Sequence, residues 1–460
     1  MRKYLLAVIT LSLLIPTGIS TSSAAVKAGA ACSKLNSTAS ASGKKFTCVK
    51  SGKKMVWNAG TSIGSKSTSN TSVDQIPKVS LVSSYVPSSE CQLKKPINLP
   101  MDDGPFGSMG FPREASSMKS LGEQKGVVIF VDFPDVVAPS DLKSAWEKSS
   151  IPLAESLFSF SSYGKFKLKV DLSKKVYRIQ KNSEYYALRE APSGGPIPGA
   201  PAPKLDEVIA DAMVLADSDI DFSKYLFVTV ATPASSNLTI GGASGLGPNP
   251  KQFDGVTYTK GIFQSLDSLT PLDKPYKTLN FTHDIGHLLG LMHPYVDRSP
   301  THGAWDIMWN FAYQNDFLGW NKWKLEWIEM EQVSCISPTQ EGEVISLLSP
   351  IGDPSSKPKM VVIKLNSTKA LVVEVRRKTP FEKLSTAQEG VIVYTVDTTK
   401  GQGDGPVEIV SNPTKIIDSQ NFSVVLGTMR KGDSTISNGY EIKLLHSNAT
   451  GDYVSIKKSA

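Results

Sequence analysis

The stretch FTHDIGHLLGLMHPY, residues 281–295, holds three of the five histidines in this chain of 460 residues. Residues four apart lie on the same face of a helix, so His283 and His287 can offer two imidazole nitrogens to one metal ion. Gly290 tolerates the left-handed conformation in which many helices end, and the chain can then bring His293 back as a third ligand. The spacing therefore predicts a three-histidine zinc site with one coordination position left open.

An acidic residue follows the first histidine. Asp284 would face the open coordination position and could accept a proton from water, which makes it the candidate general base. Its side chain is one carbon shorter than glutamate, a difference in reach of roughly 1.5 Å, and such a misplacement can cost on the order of 10²-fold in rate. The third ligand is left open at this point, because Asp297, His302 and Asp306 follow closely and each could replace His293.

The first 25 residues predict export. A positive start (MRK) precedes an apolar run and a small-residue region, which is the pattern of a signal peptide cleaved near Ala25. The apolar run is too short to span a bilayer, and no later run is long enough. We therefore expect a mature chain without an integral membrane segment, located outside the cell as a secreted or cell-wall-associated protein.

The composition excludes some partners. The formal net charge is +7, and two of these charges, Arg2 and Lys3, belong to the predicted signal peptide. The remaining surplus is mild and suits an anionic surface such as a cell-wall polymer. No basic run is interleaved with aromatic residues, so nucleic acid is not an expected partner.

Four cysteines in an exported chain predict two disulfides. Cys32 and Cys48 lie close in sequence and are expected to close one small module. Cys91 and Cys335 would then pair and join the start of the main domain to its end. Three pairings are formally open, and this is the one that the spacing favours.

The chain divides into segments of different character. Residues 26–59 form a small basic module with a hairpin pattern around its SG dipeptide, and residues 60–75 are a Ser/Thr-rich linker. Residues 76–335 mix helix and strand patterns. Residues 336–460 carry short strands without helical periodicity, which predicts a β-sandwich-like domain. The expected fold class is therefore α+β.

Individual elements can be assigned inside the mixed region. GVVIFVDFPD (126–135) and YLFVTVA (225–231) predict buried strands, and KLDEVIADAMVLAD (204–217) predicts an amphipathic helix. The segment SDLKSAWEKSSIPLAESLFSF (140–160) predicts a helix that is capped by Ser140 and broken at Pro152.

Two motifs resemble those of known zinc peptidases. HDIGHLLGLMH (283–293) is similar to the metzincin signature H-E-x-x-H-x-x-G-x-x-H, with Asp in place of Glu. WDIM (305–308) resembles the segment that carries the methionine turn beneath the zinc. In that comparison Met308 is a packing floor and not a ligand.

The wider pattern resembles the immune inhibitor A family of secreted metallopeptidases. The similar segments occur in the same order over about residues 120–400, and they are VVIFVDFPD (127–135), SSYGKFKL (161–168), FLGWNKWKLEWI (317–328), VVEVRRKTPFEK (372–383) and EGVIVYTVD (389–397). The chain departs from this family at two positions. Relatives do not usually carry a histidine where His293 lies, and they carry glutamate where Asp284 lies.

The resemblance implies a metzincin-like catalytic domain within residues 76–335 that binds one catalytic Zn²⁺. It also implies a secreted endopeptidase that cleaves proteins or peptides with metal-activated water. Such sites often use a Tyr or His to stabilise the oxyanion, and the candidates here are Tyr313, His302 and Tyr295.

Two other functions remain in view. A weakened or inactive homologue could use the metal only to staple its fold and act as an extracellular or cell-wall binding protein. Zinc-dependent hydrolysis of a different bond, such as a wall amide, is the weaker alternative.

Overall fold

The computed structural model describes most of the chain beyond residue 25, in ranges separated by short gaps. These ranges are 26–41, 44–59, 61–62, 85–96, 107–189, 197–233, 235–238, 242–245, 251–265, 279–294, 305–309, 316–386, 388–412, 415–417, 423–425 and 427–459. The predicted signal peptide and nearly all of the linker lie outside the described residues. So do four of the candidate site residues, namely Tyr295, Asp297, His302 and Tyr313.

The chain forms two compact units, Met1–Gln75 and Ile76–Ala460. The small unit is a sheet in which one strand pairs with three others, all antiparallel. Its strands are β1 (Thr38–Ala41), β2 (Lys44–Ser51), β3 (Lys54–Trp57) and β4 (Thr61–Ser62). Strands β2 and β3 form a hairpin, as the sequence predicted, and it turns at Gly52 and Lys53. A disulfide joins Cys32 to the buried Cys48, with the Cα atoms 5.9 Å apart.

The large unit begins with a five-stranded sheet covered by helices on both faces. Its strand order is β6-β5-β7-β11-β8, parallel except for the antiparallel edge strand β8. The strands of this region are β5 (Gly122–Asp132), β6 (Phe166–Arg178), β7 (Phe227–Thr232), β8 (Gly242–Gly245), β9 (Lys251–Phe253), β10 (Val256–Tyr258) and β11 (Lys260–Ser265). Strands β9 and β10 form a separate hairpin.

The helices of this region account for its apolar patterns. The α-helices are α1 (Leu142–Ala145), α2 (Ile151–Ser161), α3 (Leu205–Ala216), α4 (Leu279–Leu288) and α5 (Gly319–Lys324), and short 3₁₀ turns occupy Ser88–Cys91, Ser183–Tyr186, Phe222–Lys224 and Met330–Gln332. Val128 and Phe130 of β5 pack with α2 and α4 on one face, whereas Val127 and Ile129 pack with α3 on the other. Burial on both faces explains why β5 is continuously apolar and does not alternate.

The helix predicted at residues 140–160 differs in its details. It begins at Leu142, so the residue at its N-cap is Asp141, not Ser140, and no side chain caps it. Pro152 does not end it. The chain widens into a π-helix at Trp146–Ser150, and Pro152 then falls in the first turn of α2, so the helical run continues through this residue.

The described residues of the C-terminal part form strands and no helix, as predicted. Its strands are β12 (Val333–Ile336), β13 (Val344–Leu348), β14 (Met360–Lys364), β15 (Lys369–Arg376), β16 (Gly390–Asp397), β17 (Val407–Ile409), β18 (Lys415–Ile417), β19 (Ser423–Val425), β20 (Thr428–Met429), β21 (Ser434–Ser437), β22 (Tyr440–Asn448) and β23 (Gly451–Lys458). One sheet has the order β12-β14-β15-β16-β17 with β20 also on β16, and a second has the order β13-β23-β22-β21. Apolar residues of both sheets share one buried cluster, which is the packing of a sandwich.

Buried charges join α5 to this β-rich part. Glu374 of β15 accepts hydrogen bonds from the backbone N–H of Gly319 and from the hydroxyl of Tyr394, both at 2.8 Å. Arg376 pairs with Glu374 at 2.9 Å and with Glu382, and all three side chains are inaccessible to solvent or nearly so. The large unit is also closed by the disulfide Cys91–Cys335, whose Cα atoms are 5.8 Å apart. Both disulfides are thus the pairs that the spacing favoured.

The described residues make a mixed α and β structure in which strands dominate and helices are few. None of the helices among them combines the length and the apolar character needed to cross a membrane.

Candidate metal centre

Helix α4 carries the first two histidines and is buried along its whole length. It ends in a Schellman motif: the N–H of Gly290 donates to the carbonyl of His287 at 2.9 Å, and the N–H of Leu291 donates to the carbonyl of Gly286 at 3.0 Å. Gly290 has φ +86°, as the motif requires. The sequence had predicted this exit, and it turns the chain back toward the helix.

Backbone carbonyls orient the first two imidazoles. The Nδ1–H of His283 donates to the carbonyl of Ile307 at 2.9 Å, and the Nδ1–H of His287 donates to the carbonyl of Leu291 at 2.9 Å. A carbonyl can only accept, so each ring carries its proton on Nδ1. In the neutral ring, the Nε2 atom then carries a lone pair and no proton.

The three Nε2 atoms meet at one point. The distances are 3.1 Å between His283 and His287, 3.0 Å between His283 and His293, and 3.0 Å between His287 and His293. Tetrahedral zinc holds nitrogens at about 2.0–2.1 Å, which places two such ligands about 3.3 Å apart. The observed triangle is slightly tighter and has the right shape.

The protonation states support a cation at this point. The Nε2 lone pairs of His283 and His287 face each other, and this contact is repulsive. A proton on the Nε2 atom of His293 could form a hydrogen bond with only one of these lone pairs at a time. Burial lowers the pKa of His283 to about 4 and that of His293 to about 3, and burial also lowers the pKa of His287. Neutral imidazoles with converging lone pairs fit a divalent metal ion. Among the described residues, this is the cluster of side chains suited to hold a metal.

Asp284 follows His283 in the chain, is buried, and is held from the neighbouring sheet. The side-chain amide of Gln264, on β11, donates to Oδ2 of Asp284. Asn280, one turn earlier on α4, donates to Oε1 of Gln264 at 3.3 Å. That contact fixes which end of the Gln264 amide faces the carboxylate. A bridge of two amides thus holds the Asp284 carboxyl group against β11.

Met308 packs against helix α4 at Gly286. It is fully buried, and a Cβ atom added to Gly286 would overlap its sulfur, so this glycine allows the close approach. The turn itself is held by Asp306, whose Oδ1 accepts from the N–H of Met308 at 2.7 Å and whose Oδ2 accepts from the N–H of Leu318 at 2.8 Å.

Asp306 is therefore committed elsewhere and does not join the three histidines. Its Oδ2 also accepts from the side chain of Asn321 at 2.7 Å. Burial raises the pKa of this carboxyl group to about 6. The sequence left Asp306 open as a ligand because its position in the chain is close, but its carboxyl group accepts from the backbone of Met308 and from Leu318 at the start of α5.

Two basic side chains close over the end of α4. Arg113 donates to the carbonyl of Leu289 at 2.8 Å and to that of Met118 at 2.6 Å. The buried amine of Lys324 lies 3.3 Å from the carbonyl of Gly290 and also bonds the carbonyl of Ser108. Positive charge is favourable at this end because the last carbonyls of a helix carry partial negative charge.

Sequence reasoning missed these supporting residues. Gln264, Arg113 and Lys324 come from segments distant in sequence, and no pattern marks them. The pair Asn280 and Asp284 was the one local signal for this network. Residues four apart lie on the same face of a helix, so these two polar residues form a second polar stripe on α4.

Comparisons with known proteins add little to this description of the site. No protein-family model matches the sequence, and no curated protein matches it. Solved structures of OgpA from Akkermansia muciniphila are among the matches. The wild-type protein aligns with 11% identity over 78% of this chain and 96% of that chain, at a TM-score of 0.29. A catalytically inactive form in complex with an O-glycopeptide substrate, glycodrosocin, aligns with 10% identity over 66% and 96%, at a TM-score of 0.25. At these scores the likeness supports no inference about this chain.

Proposed function

We propose that this protein is a zinc-dependent peptidase that works outside the cell. The observation that carries the proposal is the convergence of three imidazole Nε2 atoms within 3.0–3.1 Å of one another, with the rings of His283 and His287 oriented by Nδ1–H bonds to backbone carbonyls. The two disulfides are compatible with export, and the predicted signal peptide supports it.

A zinc ion held by these rings would supply Lewis acidity and make water a stronger nucleophile at neutral pH. Asp284 is the proton acceptor that the chain offers, because it adjoins His283 and is shielded from bulk water. The amide of Gln264 donates to Oδ2 of this carboxyl group and restrains its orientation. Proteins or peptides are the expected substrates, as the resemblance to the immune inhibitor A family implies.

The decisive experiment measures zinc content and proteolysis on the same purified sample. We expect one zinc per chain and chelator-sensitive cleavage of an unfolded protein substrate. His283→Ala should lose both zinc and cleavage. Asp284→Asn should keep zinc and lose cleavage by on the order of 10²-fold or more. His446→Ala is the matched control, because this histidine lies on β22 outside the cluster, and it should change neither quantity.

One observation favours a second candidate, a binding protein whose metal only braces the fold. The Gln264 amide occupies Oδ2 of Asp284, so this carboxyl group also serves as a strut between α4 and β11. If the strut is its whole role, wild-type protein with a full complement of zinc will cleave nothing, and Asp284→Asn will be silent. In that case the peptidase proposal fails while the metal site stands.

Asp284→Glu separates a weak enzyme from a scaffold. The added carbon would extend the carboxylate by roughly 1.5 Å, so an enzyme limited by reach should gain activity. A scaffold should gain none. A peptidase proposal is contradicted if neither Asp nor Glu at position 284 supports cleavage in zinc-loaded protein.

A further inference from the structure

The β-rich part of the large unit reaches the metal centre through one loop. This loop, residues 398–406, connects β16 to β17. The side-chain Oε1 of Gln402 accepts a hydrogen bond from the backbone N–H of His293 at 3.3 Å. Just beyond the loop, the N–H of Val407 donates to the carbonyl of Pro294 at 3.0 Å. Two bonds thus connect this loop and its end to the segment that carries the third histidine.

That segment differs from the rest of the centre. His283 and His287 share a helix, so their spacing is set by helical geometry. His293 lies past the Schellman motif, in a stretch assigned to neither helix nor strand, and its side chain is only partly buried. The position of His293 therefore depends on contacts from other segments. Without such contacts, the side chain would have to be ordered when the metal binds, and that ordering costs conformational entropy.

The 398–406 loop is itself braced. Its ends are joined by a bond from the N–H of Asp397 to the carbonyl of Pro406 at 2.8 Å. Thr398 is fully buried, and its hydroxyl donates to the carbonyl of Lys94 at 3.0 Å. The N–H of Gly401 also donates to Asp404 at 3.3 Å. A loop fixed in this way can hold a neighbouring segment in place.

We propose that the 398–406 loop positions the third metal ligand, with Gln402 as the positioning residue for His293. The inference rests on the proposed function in that it takes the three histidines as a metal site. It adds that the β-rich part completes this site, so that the site does not belong to the mixed α and β part alone.

Hydrogen–deuterium exchange on the metal-free, full-length protein tests the contact directly. Gln402→Ala should make the His293 amide exchange about tenfold faster or more, because its acceptor is gone. Gln402→Glu keeps an acceptor oxygen and should retain the protection. Gln388→Ala is the matched control, since Gln388 also accepts from a backbone N–H, that of Ser385, in another loop of the β-rich part. It should leave the His293 amide unchanged.

Zinc affinity, measured by competition with a chromophoric chelator, tests the consequence. Gln402→Ala should weaken binding on the order of tenfold, as losses of outer contacts to metal ligands do, and the Gln402→Glu and Gln388→Ala variants should bind like wild type. Equal exchange or equal affinity in wild type and Gln402→Ala overturns the inference. If the wild-type protein binds no zinc, the proposed function fails, and the exchange data alone still decide whether Gln402 holds His293.

Discussion

Single buried polar atoms decide how this centre is built. The first two imidazoles each commit one nitrogen to a carbonyl, and their other nitrogens lie at the point where the three Nε2 atoms meet. Lys324 lies outside the histidine cluster and contacts the end of α4. Its amine is almost fully buried and touches the carbonyl of Gly290, at the end of the helix that carries His287. Burial lowers the pKa of Lys324 to about 7, and the nearby charge of Arg113 lowers it further.

This shift predicts a pH dependence of stability. In the unfolded chain lysine titrates near 10.4, so between about pH 7 and pH 10 the unfolded state binds more protons than the folded state. Stability contributed at this site must therefore rise with pH across that window. We expect the free energy of unfolding of wild type, minus that of Lys324→Met, to grow by at least about 1.4 kcal/mol from pH 7 to pH 10, the equivalent of one pKa unit.

Urea unfolding at a series of pH values gives this difference, and subtracting the variant removes the contribution of every other group. A difference that stays flat between pH 7 and pH 10 would show that the two carbonyls stabilise a charged amine at this position.

At the scale of elements, the end of helix α4 is the critical junction. The Schellman motif at Gly290 reverses the chain, places the Leu291 carbonyl against His287, and starts the segment that leads to His293. A side chain at position 290 meets two obstacles. The left-handed conformation is strained for any residue with a Cβ atom, and that atom would overlap the hydroxyl of Ser117.

Gly290→Ala should therefore destabilise the protein more than conformation alone explains. The matched control is Gly164→Ala, because Gly164 also follows a helix at positive φ, +79°, but has open space around its Cβ position. Both variants carry the backbone cost of about 1–2 kcal/mol. We expect Gly290→Ala to lose a further 1–3 kcal/mol or so from overpacking, measured by urea unfolding. Equal losses would show that Ser117 moves aside freely.

Elements with strong local patterns were predictable, and contacts between them were not. The apolar run of β5, the periodicity of α3, the spacing of the histidines and the turn at Gly290 are each written in neighbouring residues. The helix start at Leu142 was missed by one position, because Ser and Asp are similarly favoured at the N-cap and the sequence offers both, as Ser140 and Asp141. The partners of Asp284 and Asp306 depend on which segments the fold brings together, and no local pattern encodes that.

At the scale of the whole molecule, long-range bonds unite the mixed part and the β-rich part. The Glu374–Arg376–Glu382 ion network is sealed from solvent and bonds the backbone of α5, so removing one member would leave an uncompensated buried charge. The disulfide Cys91–Cys335 spans 244 residues, and both of its cysteines are fully buried. Cys32, in the small unit, is only partly buried.

The two disulfides should differ in their resistance to reduction. Exchange requires a thiolate to reach a sulfur atom, so mild reductant in native buffer should open Cys32–Cys48 first. Cys91–Cys335 should stay closed until the large unit unfolds. Timed alkylation followed by mass spectrometry of the cysteine peptides measures both rates, and added urea should accelerate only the second. Equal labelling of all four cysteines in native buffer would contradict this expectation.

The bond between His293 and Gln402 also bears on the order in which the chain is made. The two residues are 109 positions apart, and a polypeptide is synthesised from its amino end. All three histidines therefore leave the ribosome well before the glutamine that steadies the third one, and domains generally fold as their residues emerge. A nascent chain that has not yet reached Gln402 would carry the three histidines without this support, so the proposed centre would be completed only after the 398–406 loop has been synthesised.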